Sequence, residues 1–119
     1  MTENAKQYDL EERTAKFGEN VIGLCQSIKQ DVISRLLISQ LVRSSTSIGA
    51  NYMEANGAIS KRDFTNKIFI CRKECQETRH WLRMLVKCCP DVRGKIETLE
   101  QEAQELTLIF GKIGSSLKK

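Results

Sequence analysis

The sequence predicts an all-α fold, an antiparallel up-down-up-down four-helix bundle, on three observations. Apolar residues recur at alternating spacings of four and three, period-two alternation is sustained nowhere, and short breaks divide the pattern into four stretches. Each apolar stripe is narrow, so each helix must bury it against others. Because the connections are short, consecutive helices are expected to be antiparallel neighbours.

The first helix is expected over Asp9–Ile28, with Leu10, Phe17, Val21, Leu24 and Ile28 on its seam. Asp9 followed three residues later by Glu12 has the form of a capping box. The second helix is expected over Val32–Gly57 with Asp31 as its cap. The third, Lys61–Cys88, starts after a second box, Ser60 with Asp63, and Ile59 and Phe64 stand at the spacing of a hydrophobic staple. Its seam is Phe64, Ile68, Cys71, Cys75, Thr78, Leu82 and Leu85. Pro90 lacks an amide proton and so suits a first helical turn, which places the fourth helix over Asp91–Ser116. Val92, Ile96, Leu99, Ala103, Leu106, Phe110, Ile113 and Leu117 face inward from it. Residues 1–119 read as one domain with a real core, frayed at 1–8 and 117–119.

Composition excludes several classes. The chain has one Pro, seven Gly and no low-complexity run, which argues against extended disorder. The N-terminal stretch carries no apolar run of signal-peptide type and no segment approaches spanning length, so a cytoplasmic protein without membrane contact is expected. Five cysteines, an odd number, do not form a closed disulfide framework in a reducing compartment. Cys71 and Cys75 occupy apolar seam positions and no CxxC occurs, so they read as small hydrophobes and no metal site is expected. Glu77 and His80 have the Glu-x-x-His spacing of di-metal bundles, but such sites need two of these motifs and the chain has a single His. Ser-Ile-Gly-Ala-Asn at 47–51 lacks the frame of a phosphate loop, and no nucleophile is placed near His80. A non-enzyme without cofactor or small-molecule substrate is expected.

The informative stretch runs from Arg43 to Leu82. Gly49 sits inside the second helix at a cost of about 1 kcal/mol relative to Ala, next to the mediocre helix formers Ser44, Ser45, Thr46 and Ser47. That turn needs a closely packed neighbour, within one subunit or between subunits. Arg43, Ser47, Asn51 and Glu54 share one face of the second helix, and Ile70, Glu74, Glu77 and Trp81 share one of the third. For helices that reverse near Ile59, counting at 1.5 Å per residue sets Arg43 opposite Glu74 or Cys75 and brings Glu54 within a turn of Lys61 and Lys67. The expected ion pair is Arg43 with Glu74.

The combination Arg43, Ser44, Thr46, Ser47, Ile48, Gly49, Ala50, Asn51, Glu54 and Ala55, then Ser60, Lys61, Asp63, Phe64, Lys73, Glu74, Glu77, Thr78, Arg79, Trp81 and Leu82, resembles a known family. These are the four-helix-bundle proteins encoded by intervening sequences in bacterial large-subunit ribosomal RNA genes, often labelled ribosomal-protein-like. The family is more distantly similar to the accessory variability determinant of diversity-generating retroelements, a basic homopentamer that works with a reverse transcriptase and RNA. The resemblance implies a bundle that self-associates, as a homopentamer, around the structural signature Arg43, Ser47, Gly49, Asn51, Glu54, Glu74, Glu77 and Trp81. Contacts between subunits are expected at the turn around Gly49 or along the seam of the fourth helix.

Charge adds a candidate surface. The net charge is +4, but residues 61–95 hold ten basic against four acidic residues, a surplus of +6, while the rest of the chain sums to −2. Arg72, Arg79 and Arg83 lie on one face of the third helix, with Lys87 one turn further and His80 beside them. Such a row neutralises RNA phosphates, with Trp81 as a stacking surface, or it is a solvated helix face with Trp81 in the core. The two readings carried forward are an RNA-associated oligomer and a structural or protein-interaction scaffold. A row concentrated on an exposed face favours the first; cations paired with glutamates favour the second.

Overall fold

Helix α1 spans Thr2–Gln26, α2 Val32–Asn56, α3 Lys61–Cys88 and α4 Arg93–Leu117, with a short 3-10 turn over Pro90–Val92 before α4. The computed structural model describes the backbone of residues 2–117 and the side chains of residues 9–117. No strand occurs among the described residues. The fraying expected at residue 1 and at 118–119 lies outside them, whereas residues 2–8 and Leu117 have helical backbone.

The helix starts follow local chemistry in two cases and depart from it in three. Asp31 is extended (φ −121, ψ −173) and accepts from the Ser34 amide at 2.8 Å, while Ser34 Oγ accepts from the Asp31 amide at 2.9 Å. This reciprocal box, with Ser in the usual Glu position, satisfies two amides that have no partner within the helix. It also holds the exposed Asp31 carboxyl below its ordinary range. Pro90 begins the last helical segment, but the first turn is 3-10, closed by the Val92 amide on the Cys89 carbonyl at 3.2 Å, and α-helix starts only at Arg93.

The departures are informative. Asp9 does not cap α1, because the helix begins seven residues earlier, at Thr2, and nothing between Thr2 and Asp9 is a helix breaker. A capping pattern marks a start only when the preceding residues leave the helix. At α3, Ser60 accepts from the Asp63 amide at 3.0 Å, but the return bond from the Asp63 side chain is not made, so half of the box forms. The Ile59–Phe64 staple is absent: Ile59 is 99% exposed at the turn, while Phe64 packs against the core.

Side-chain pairs show consecutive helices to be antiparallel. Gly18 lies against Thr46 and Gly49 against Thr14, Arg43 meets Glu74 and Glu54 meets Lys67, and Arg79 meets Glu100 while Arg72 lies over Gly111. The molecule measures 45 × 27 × 20 Å, the length of helices of 25 to 28 residues rising 1.5 Å each. One core joins all four, with Phe17 and Val21 from α1, Leu41 and Ile48 from α2, Ile68, Cys71, Cys75, Leu82 and Leu85 from α3, and Leu106 and Phe110 from α4. Almost every seam position expected from the spacing is in this core or packed on it. Some apolar residues stay outside it: Val32, Ile33 and Leu36, at the start of α2, are largely exposed, as is Leu108 within α4.

Candidate nucleic-acid interface

The signature residues resolve into two contacts within the chain. Small residues bring α1 and α2 together: a Cβ on Gly49 would stand 3.2 Å from Thr14 Oγ1, closer than ordinary van der Waals contact, and one on Gly18 would stand 3.6 Å from Thr46. Gly49 thus packs within one subunit. Where α2 meets α3, Thr78 Oγ1 lies 2.9 Å from Ser44 Oγ and 2.8 Å from the Glu74 carbonyl oxygen, satisfying hydroxyls that are fully buried.

Alongside that buried pair runs an ionic row. Arg43 donates to Glu74 at 3.3 Å, to Glu77, and to Gln40 at 3.0 Å. Glu74 is 9% exposed, so its carboxylate depends on this guanidinium for compensation. Lys67 donates to Glu54 at 2.8 Å, and the attraction raises the Lys67 pKa. Asn51 Nδ2 turns back to the Ser47 carbonyl at 2.8 Å. This side of the molecule is therefore occupied by its own partners. Its ion pairs join α2 to α3, and the expected pair of Arg43 with Glu74 is among them.

The basic row lies on the other side, along the seam between α3 and α4. Arg72 crosses Gly111, whose missing side chain leaves room for its guanidinium: a Cβ there would stand 3.3 Å from Nε. Arg79 donates to Glu100 of α4 at 2.8 Å, so one of the four expected cations is paired. Arg83 and Lys87 are exposed, and with Arg72 they make no ion pair among the described residues. Sequence reasoning missed Glu100, although counting back from the turn at Cys89 and Pro90 sets it opposite Arg79.

Between the two helices is an open groove of about 630 Å³. Arg79, His80 and Arg83 line it from α3 and Arg93 from α4, over a floor of Leu82, Val86 and Ile96. Arg93 reaches Glu97 at 3.8 Å, with both side chains 62% exposed, which is a weak pair. Arg93 was legible as a basic residue but not as a member of this surface. Trp81 is absent from the lining and packs against the core, with its indole Nε1 buried and without a hydrogen-bond partner among the described residues. His80, whose ring meets Trp81 edge-on at 5.0 Å, is the aromatic residue that borders the groove.

The groups weighed for other chemistry are dispersed. Glu77 is held by Arg43 while His80 borders the groove, so Glu-x-x-His does not converge. No three His, Cys, Asp or Glu side chains cluster at metal-binding distance among the described residues. Burial raises the Cys25 thiol from 9.0 to about 11 and Cys71 to about 12, and pushes Cys75 higher still. Cys89 is raised to about 11 by burial and by Cys88, whose sulfur lies 3.6 Å away. Since the thiolate is the reactive form, brief treatment of the folded protein with iodoacetamide at pH 8 is expected to alkylate only the half-exposed Cys88. Mass mapping that found Cys71 or Cys75 labelled at a similar rate would show that the core opens readily.

No helix among the described residues is long and apolar enough to cross a membrane. No curated protein is significantly similar to the chain. Among solved structures, the chain is similar to a crystal structure of a protein of unknown function from the S23 ribosomal protein family of Bacteroides thetaiotaomicron. The two share 30% identity and a TM-score of 0.77, over 87% of this chain and 96% of that one. A family profile described as 23S rRNA-intervening sequence protein matches residues 6–112. With its four helices and its signature contacts within that span, the chain belongs to the 23S rRNA-intervening sequence protein family.

Proposed function

We propose that this protein is a non-catalytic, self-associating helical bundle that binds RNA through the basic seam of α3 and α4. The observation that carries the reading is the exposed row of Arg72, Arg83 and Lys87, which have no ion-pair partner among the described residues, with Arg93 of α4 lining the same groove as Arg83. On the α2–α3 side, by contrast, Arg43 and Lys67 are bound to glutamates. Free guanidinium groups on one face suit phosphates, which supply affinity without reading sequence. The cellular compartment that fits this reading is the cytoplasm.

Self-association is taken from the family resemblance, as a homopentamer. The surfaces first expected to join subunits, Gly49 and the α4 seam, are used inside the chain. Assembly would therefore engage outward apolar residues such as Val32, Ile33, Leu36 and Leu108. Light scattering should return a mass several times 13.6 kDa; a monomer at every concentration would remove this part of the reading. The scaffold reading has one observation in its favour, the Arg79–Glu100 pair, which neutralises part of the row.

Replacing Arg72, Arg79 and Arg83 together by Gln separates the two readings, since Gln keeps helix propensity and loses the charge. Filter binding to RNA over a salt series should show weaker binding by the variant. Its log–log salt slope should be shallower by about 1.4, at roughly 0.7 for each of the two free cations lost, Arg72 and Arg83, on a single strand, since Arg79 is held by Glu100. A native protein that shows no salt-sensitive RNA binding at low ionic strength would leave the scaffold reading in place.

A further inference from the structure

We propose that Cys88 and Cys89 form a reversible oxidation site, a dithiol that hydrogen peroxide converts to a disulfide in the turn between α3 and α4. The inference does not depend on the RNA reading. It starts from a contact that regular structure does not allow. Successive side chains diverge by about 100° on a helix and point to opposite faces of a strand, so adjacent cysteines ordinarily keep their sulfurs apart. Here the two sulfurs lie 3.6 Å from each other. The cause is that α3 ends between them: Cys88 is its last residue, and Cys89, with φ −131 and ψ 63, has left the helix. Pro90 follows, and its ring disfavours helical backbone at the residue before it.

The two thiols differ in the way such a site needs. Cys88 is partly exposed, so an oxidant reaches it, whereas Cys89 is 8% exposed. Burial and the neighbouring sulfur raise the Cys89 thiol to about 11, so it stays protonated while Cys88 reacts. An accessible thiol beside a second one that can resolve it is the arrangement of redox-sensing pairs. Cys25, Cys71 and Cys75 are closed in the core by contrast.

In the first step the Cys88 thiolate attacks one peroxide oxygen and the O–O bond breaks. Cys88 becomes a sulfenic acid, and the departing hydroxide takes up the thiol proton as water. The Cys89 sulfur then attacks the Cys88 sulfur; the S–S bond forms, the S–O bond breaks, and hydroxide leaves with the Cys89 proton as a second water. The two sulfurs together lose the two electrons that the peroxide gains. Adjacent Cα atoms are about 3.8 Å apart, against about 4.4 to 6.8 Å for most bridged cysteines. The bond is therefore strained and readily reduced by thiols, which suits a transient signal and not a permanent link. Closing it must turn the peptide that joins the two residues. The Cys89 amide donates to the Leu85 carbonyl at 2.9 Å at the end of α3, and the Cys89 carbonyl accepts from the Val92 amide at 3.2 Å, just before Arg93. Oxidation thus loosens the junction that leads from α3 into α4.

The test is to treat the reduced full-length protein with hydrogen peroxide, denature it in iodoacetamide and measure its intact mass. The native chain should go from five alkylatable thiols to three while remaining a single chain, and dithiothreitol should restore all five. Peptide mapping should place the bond between Cys88 and Cys89. Cys89→Ser should instead stop at a sulfenic acid on Cys88, which dimedone traps, and Cys88→Ser should keep its other thiols. Circular dichroism would check that both variants retain the native fold. Hydrogen exchange at the Cys89 and Val92 amides should be faster in the oxidised protein and unchanged in the middle of α2. A disulfide joining two chains, a lasting dimedone adduct on native Cys88, or oxidation of Cys71 at an equal rate would overturn the site. Unchanged exchange at the turn would overturn the loosening of the junction.

Discussion

Moving the protein from pH 8 to pH 10 is expected to lower its folding stability by about 4 kcal/mol. The cause is three core thiols, Cys25, Cys71 and Cys75, each no more than 5% exposed. Burial raises them from the ordinary 9.0 to about 11, to about 12 and beyond that range, respectively. Below pH 9 both the folded and the unfolded chain keep these protons, and the thiols add no pH dependence. Above pH 9 the unfolded chain releases protons that the fold retains, so alkalinity favours unfolding. By pH 10 the unfolded thiols are about one unit past their midpoint, worth about 1.4 kcal/mol each.

Against a typical total of about 5 to 15 kcal/mol, that loss is large. Urea unfolding at pH 8 and pH 10 would measure it. Cys89 and Tyr52, also raised by burial, add to this in the same direction, so the share of the three core thiols needs its own control. The triple variant Cys25→Ala, Cys71→Ala, Cys75→Ala should start less stable, because it leaves cavities, but should lose much less between the two pH values. An equal loss in both proteins would show that the thiols are not responsible.

Gly49→Leu is expected to cost about 1 to 3 kcal/mol. The first added atom alone would stand 3.2 Å from Thr14 Oγ1 and 3.6 Å from the Ala15 amide nitrogen, with α1 backbone behind it. The rest of a leucine must then push α1 away from α2 or adopt a poor rotamer. Gly49→Ala separates packing from helix propensity: it gains about 1 kcal/mol of propensity, which the close contact with Thr14 offsets. Near-neutral Ala and destabilising Leu, measured by thermal or urea unfolding, identify close packing as the reason for the glycine. If Leu proved neutral as well, the α1–α2 surface would be looser than its geometry implies.

Such contacts divide what a linear reading reaches from what it does not. The heptad spacings placed Phe17, Ile68, Leu82, Leu106 and Phe110 in the core, because a helix turns its residues by a constant angle and a buried stripe must repeat with it. Asp31 and Pro90 acted as boundaries because capping and a missing amide operate over a single turn. Counting across the α2–α3 turn paired Arg43 with Glu74 and Glu54 with Lys67, since antiparallel helices of equal rise keep register over several turns. The Asp9 and Ile59 readings failed for a related reason: each depends on where the chain goes just outside the motif, and neither short pattern contains that direction.

By itself, then, the sequence determined the four helices, the inward faces of the first, third and fourth, the family and the surplus of positive charge over residues 61–95. Only the tertiary structure decided which of those charges remain free. Arg79 is bound by Glu100, Arg93 is brought across from α4, and Trp81 is drawn against the core while His80 borders the groove. It also decided that Gly49 serves the α1–α2 contact within one chain. The physical reason is that periodicity records how each helix is oriented towards the core, whereas the partner of an exposed charge depends on the distance and rotation of a neighbouring helix, which no single helix encodes.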